Sequence, residues 1–182
     1  MIHKDANMRA IVAERYMKSI EWAPQIRHVL QSVFQPAIWI QDAETEEDRH
    51  DLFDYRIFHN LDEIGTIAAR CYENTYRTQL LTLNRTEVVK IKKGLGDLYI
   101  NCWGVTDTTF REWCIWDINA LTRAAFWDDL SAYPIVKAST RDGQQSDYIK
   151  IPPADIKEHG ALIAQHARNE SQTRKLTDRC PA

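Results

Sequence analysis

Apolar residues near the start of the chain recur at helical spacing. Met8, Ile11, Val12, Tyr16 and Ile20 share one stripe, which predicts an amphipathic helix over about 6–20, with Glu14 beside the stripe. A second stripe, Ile26, Val29, Leu30, Val33 and Phe34, follows Pro24, a favourable first-turn residue, and Pro36 ends it. The period then changes to two. AIWIQ (37–41) is expected as a strand, and LFDYRIF (52–58) sets Phe53, Tyr55 and Ile57 against Asp54, Arg56 and Phe58. HNLDEIG (59–65) reads as a turn, so GTIAARCY (65–72) should pair back as a hairpin. In that strand Ala68, Arg70 and Tyr72 fall on one face, with Ile67, Ala69 and Cys71 on the other.

QLLTLN (79–84) predicts a third strand, after which Thr86 is expected to cap a helix that holds Glu87 in its first turn and stops at Gly94. DLYINCWGV (97–105) and FREWCIWDI (110–118) are rich in aromatic and β-branched residues and read as strands joined by a TDTT turn. Asp117 or Asn119 should cap a helix bearing Leu121, Ala124, Ala125 and Leu130. YPIVKA (133–138) and DYIKI (147–151) are weaker strands around a polar loop, and a helix over about 154–169 closes the pattern. This order predicts an α/β (α+β) fold with a central mixed β-sheet flanked by helices. One domain is expected over 1–170, with 171–182, poor in apolar anchors, as a flexible tail.

Composition narrows the function classes. The chain of 182 residues is 44% hydrophobic and 27% charged, as expected of a soluble globular domain. Its net charge of -3 does not draw it onto nucleic acid, so any DNA contact must come from local groups such as the KIKK run (90–93). Six tryptophans and seven tyrosines supply aromatics for stacking or for an interface, although most fall in strands and read as core. Cys71, Cys102, Cys114 and Cys180 are scattered without a CxxC pair; three lie in apolar runs, which predicts buried thiols, a reducing cytoplasm and no zinc site. No apolar run is long enough to span a membrane, and the first residues do not read as a signal peptide. GxSxG, P-loop and HExxH motifs are absent, and His50, His59 and Asn60 lack the later histidine of an HNH finger.

What remains is a group of charges on predicted β-structure and a helix start: Asp54, Arg70, Glu87 and Lys90. Cleaving a phosphodiester with a divalent cation needs two or three hard oxygen ligands held rigidly, and it gains from a neighbouring cation that stabilises charge at phosphorus. Asp54 suits the first task and Arg70 the second, and Lys90 can supply the remaining cation; arginine cannot serve as a general base because it keeps its proton. Each residue also has a plainer explanation. Asp54 and Arg70 can be a cross-strand ion pair, Glu87 can answer the helix dipole, and Glu87 with Lys90 can be a surface i,i+3 pair. The acidic stretch DAETEEDRHD (42–51), six of whose ten residues are carboxylates, reads as a solvated loop, or else offers Asp48 to a metal or substrate. Only the joint placement argues for function.

Five short segments and one residue carry a family resemblance: EDR at 47–49 leading to Asp54, IAAR at 67–70, TEVVKI at 86–91, GLGDLY at 94–99 and WCIWD at 113–117. Over about 44–122 the chain resembles the PD-(D/E)XK nuclease superfamily, in particular a nuclease-like group of phages and mobile elements. The resemblance implies a restriction-endonuclease-like core and a metal-dependent DNA endonuclease or nuclease-like protein, phage-encoded and acting in a host cytoplasm. It implies Mg²⁺ or Mn²⁺ held by Asp54 and Glu87, with Glu14 of the first helix as a further ligand, and Arg70 and Lys90 on phosphate. One departure stands out: the usual acid two places before the cation is replaced by Ala68, which makes Glu87 the candidate for a migrated ligand. The alternative is a catalytically inactive protein on the same fold that inhibits a host defence or DNA-repair complex. A homodimer is compatible with either.

Overall fold

The computed structural model describes residues 21–34, 38–43, 53–72, 81–139, 145–167 and 170–173. The expected first helix with Glu14, most of the acidic stretch including Asp48, and Cys180 lie outside these residues. In chain order the elements are α1 (21–34), β1 (Ile38–Asp42), β2 (Tyr55–His59), β3 (Asp62–Tyr72), β4 (Leu81–Asn84) and α2 (Arg85–Lys92). Next come β5 (Leu98–Val105), β6 (Phe110–Asp117), α3 (Ile118–Arg123), a 3₁₀ turn (Phe126–Asp128), β7 (Ile135–Ser139), β8 (Gln145–Ile151), α4 (Pro153–Glu158), β9 (Leu162–Ala167) and β10 (Glu170–Thr173).

The fold is α+β. A mixed seven-stranded sheet runs β1-β2-β3-β5-β6-β9-β10, and a separate three-stranded sheet runs β4-β8-β7. Within the large sheet β3 and β5 are parallel, with Arg70 opposite Asn101 and Cys71 opposite Cys102, whereas the other pairings are antiparallel. Parallel neighbours need a crossover, and this one contains β4 and α2, which brings α2 over the sheet.

Both faces of the large sheet are covered at its centre. On one face α1 contributes Ile26, Val29, Leu30 and Phe34, spaced by three and four residues, to a cluster with Ile57, Ile67, Ile100 and Ile115. On the other, Val88 and Ile91 of α2, Leu81 and Leu83 of β4, and Leu121 of α3 meet Ala68, Tyr99 and Trp116. Burial on both sides explains why β5 is buried along almost its whole length and reads as a continuous apolar run. Trp116 has its indole N–H bonded to Asn101 Oδ1 at 3.0 Å and packs between Tyr99 and Trp127.

Several expected boundaries move. Asp54 lies in a bend before β2 rather than within a strand, and the hairpin turn is tighter than expected, with Asn60 at φ 58° letting β3 begin at Asp62. Helix α2 is capped by Asn84, not Thr86: the Glu87 amide donates to Asn84 Oδ1 at 2.8 Å while Glu87 Oε2 accepts from the Asn84 amide at 2.6 Å, a reciprocal capping box. Gly94 ends that helix as expected; at φ 74° it lets its own amide reach Ile91 O and the Leu95 amide reach Lys90 O. Asp117 caps α3, which stops at Arg123, because Ala125 turns left-handed at φ 54° and Phe126 and Trp127 are drawn into the core. The long final helix is instead α4 followed by β9, broken at Gly160 (φ 68°). Residues 170–173, placed mostly in the expected tail, pair with β9 as β10. The weaker strands β7 and β8 join β4 in the second sheet instead of the central one.

Candidate active site

Asp54, Arg70, Glu87 and Lys90 line one cleft of about 280 Å³ together with Phe53, Ala68, Asn84 and Tyr99. Three segments converge to make it: the bend before β2, the middle of β3, and the first turns of α2. Period-two alternation on β3 points Ala68 and Arg70 at α2, and the small Ala68 leaves room for the long side chains around it.

Glu87 is the hub. Its Oε1 pairs with Arg70 Nη2 and accepts from the Tyr99 hydroxyl at 3.1 Å, while Oε2 caps the helix through the Asn84 amide. Arg70 Nε in turn donates to Tyr99 Oη at 3.2 Å, so the three side chains form a closed triangle. Burial opposes charge on Arg70, but Tyr99 and Glu87 outweigh it and hold the guanidinium protonated above its ordinary range. Burial also raises the Tyr99 phenol well above its usual value, which keeps it neutral and able to donate.

Asp54 does a different job. Its Oδ2 accepts from the Ala69 amide at 2.5 Å, where β3 has run past the start of β2 and has lost that neighbour's ladder. The Asp54 backbone continues the pairing through Ile67 O at 2.9 Å. The expected Asp54–Arg70 cross-strand pair is thus replaced by Arg70 with Glu87, and Glu87 turns to β3 rather than to Lys90.

Two carboxylates in one cleft are the right kind of donor for Mg²⁺ or Mn²⁺, which one or two protein carboxylates commonly hold with waters and substrate phosphate completing the shell. Among the described residues no group of three His, Cys, Asp or Glu side chains gathers around one point. Glu14 lies outside the described residues.

Sequence reasoning missed two contributors. Tyr99 ties Arg70 to Glu87, and the signal for it was alternation along β5, which sets Tyr99, Asn101 and Trp103 on the face that meets α2. Asp97 is the second: its carboxylate accepts from the Thr66 amide and hydroxyl and from Asn119 Nδ2, each at 2.9 Å, so it pins β3, the start of β5 and α3 together just below the cleft. Among the described residues no helix is long and apolar enough to cross a membrane. Comparison of the chain with protein-family models, with curated proteins and with solved structures gave no match.

Proposed function

We propose that this cleft binds and hydrolyses a phosphodiester of DNA with the help of a divalent cation, Mg²⁺ or Mn²⁺. The observation behind the proposal is the convergence of two carboxylates and two cations, from three separate segments, on one small cleft. The PD-(D/E)XK resemblance supports the same reading and adds Glu14, which lies outside the described residues, as a further ligand. Asp54 and Glu87 would hold the cation, which when bound polarises the phosphate and lowers the pKa of a water. Lys90 and Arg70 would pair with the non-bridging oxygens. The bonds to Tyr99 and Glu87 use Nε and Nη2 of Arg70, two of the three nitrogens of a five-donor guanidinium. A shift of Arg70 toward phosphate would loosen its bond to Glu87 and release Glu87 oxygen to the cation while Tyr99 keeps both side chains in place. Without substrate the two cations and two carboxylates neutralise one another.

A second reading, a nuclease-fold protein that only binds a host defence or repair partner, draws support from the same hub. Both oxygens of Glu87 already have protein donors, and the residue two places before Arg70 is Ala68. Supercoiled plasmid incubated with Mg²⁺ or Mn²⁺ separates the two. Cleavage by the wild type that falls at least about 100-fold in Asp54→Asn supports the enzyme. Absence of cleavage by the wild type in either metal removes the catalytic reading and leaves the binding one.

A further inference from the structure

Among the described residues the cover over the α2 side of the large sheet stops short of its β1–β2 edge. There Trp39, the second residue of β1, remains 45% exposed although it is large and apolar. Trp39 and Phe58 are register partners on β1 and β2, and their rings stack with centroids 4.5 Å apart and planes inclined by 17°. The indole N–H donates to Asn60 O at 3.2 Å, which fixes the ring. Two residues along β2 on the same face, the Arg56 guanidinium lies 5.5 Å from the centre of the Phe53 ring, and Phe53 lines the cleft. Three rings and one guanidinium, the buried Phe53, Arg56, Phe58 and Trp39, therefore lie along β2 and β1 between the cleft and the sheet edge. Asp54 and Phe58 are four residues apart, a span of about 13 Å at roughly 3.3 Å per residue.

From this row we infer that the protein takes single-stranded nucleic acid, with a phosphate in the Arg70–Lys90 cleft and neighbouring bases stacked on the Trp39–Phe58 platform. The inference rests on the phosphodiester reading of the cleft and names its substrate class. A flat aromatic surface reached from a phosphate site by a strand-length track suits a ligand whose phosphates and planar faces alternate along one backbone. In a duplex the base faces are covered by their neighbours and cannot reach the platform. Charge agrees with a stacking-led mode. Arg56 is paired with Glu63, and the cations of the cleft stand beside Asp54 and Glu87, so only one or two phosphates can be neutralised. Affinity should then fall weakly with salt, with a logarithmic slope between about -0.7 and about -1.4, at about -0.7 for each phosphate contacted on a single strand.

The test is fluorescence anisotropy of a labelled 12-nucleotide oligo(dT) and of a blunt 12-base-pair duplex, with protein in EDTA so that no cleavage intervenes. The expected result is single-strand binding at least tenfold tighter than duplex binding, a shallow salt slope, and about a tenfold loss in Trp39→Ala. Phe58→Leu, which keeps an apolar side chain under the indole, serves as a second variant and should lose several-fold. Duplex binding as tight as single-strand binding overturns the inference. If Lys90→Ala weakens binding while Trp39→Ala and Phe58→Leu leave it unchanged, the platform is wrong and the cleft reading survives. If neither oligonucleotide binds the wild type, the platform is overturned, and the metal-dependent reading of the cleft is decided by the plasmid assay, which supplies Mg²⁺ or Mn²⁺.

Discussion

Arg70 and Glu87, seventeen residues apart in the chain, meet as an ion pair whose carboxylate also caps the helix it belongs to. One side chain thus fixes the start of α2, anchors that helix to β3, and holds the guanidinium at the floor of the cleft. Stability and the proposed chemistry are coupled through it.

Removing that carboxylate should be costly. Glu87→Ala strands a largely buried Arg70 and opens the capping box, since the two side chains are only 26% and 13% exposed. A loss of about 3 kcal/mol is expected in chemical denaturation. Glu87→Gln has one acceptor oxygen; placed on the Asn84 amide it keeps the cap and turns its NH₂ toward Tyr99 and Arg70, so it should cost about half as much. Equal losses for the two variants would show that the cap adds nothing beyond the ion pair.

At Asp54 the fold and the activity can be separated. Asp54→Asn retains an acceptor for the Ala69 amide, so its unfolding midpoint should stay close to wild type while plasmid cleavage falls. Asp54→Ala leaves that amide without its partner and should lose about 1–2 kcal/mol as well. Thermal melts of both variants beside the cleavage assay make the comparison.

Gly94 ends α2 at φ 74°, and a Cβ added there would meet nothing within 4 Å. The cost of Gly94→Ala is therefore conformational alone, about 1 kcal/mol, with no change in what the core packs against. Urea denaturation should show a lower midpoint at an unchanged slope.

Alkali should unfold the protein through its buried thiols. Burial pushes the Cys114 thiol from its ordinary 9.0 up to about 12, and burial raises Cys102 as well. Unfolding returns each thiol toward its ordinary value, so above pH 9 the unfolded chain releases protons that the folded chain retains. Stability is then complete below that pH and declines as pH rises toward 12, by about 1 kcal/mol per unit for each such group. Denaturation curves taken from pH 7 upward should flatten in Cys114→Ala, although that variant begins from a lower stability because it opens a small cavity.

What was legible in the chain was its local chemistry. Period-two patterns placed β1, β5 and β6 closely, and periodicity announced α1 and β3 with their starts displaced by three residues, since each buries one face or both against neighbours of matching apolar character. Gly94 announced the end of α2, because a left-handed stop is written in a single residue. The four charges of the cleft were also named from strand parity and the helix start, and they do share a cleft.

Pairings between distant segments were decided only by the tertiary structure. Nothing local states that Arg70 takes Glu87 rather than Asp54, that Tyr99 closes their triangle, or that β4, β7 and β8 leave the central sheet to build a second one. The last helix failed for the same reason: Ile163 and Ala164 suit a helix as well as a strand, and only the open edge of β6 selects the strand. A single segment sets which groups it presents, whereas the partner each group meets depends on how the whole chain shares its burial and its hydrogen bonds.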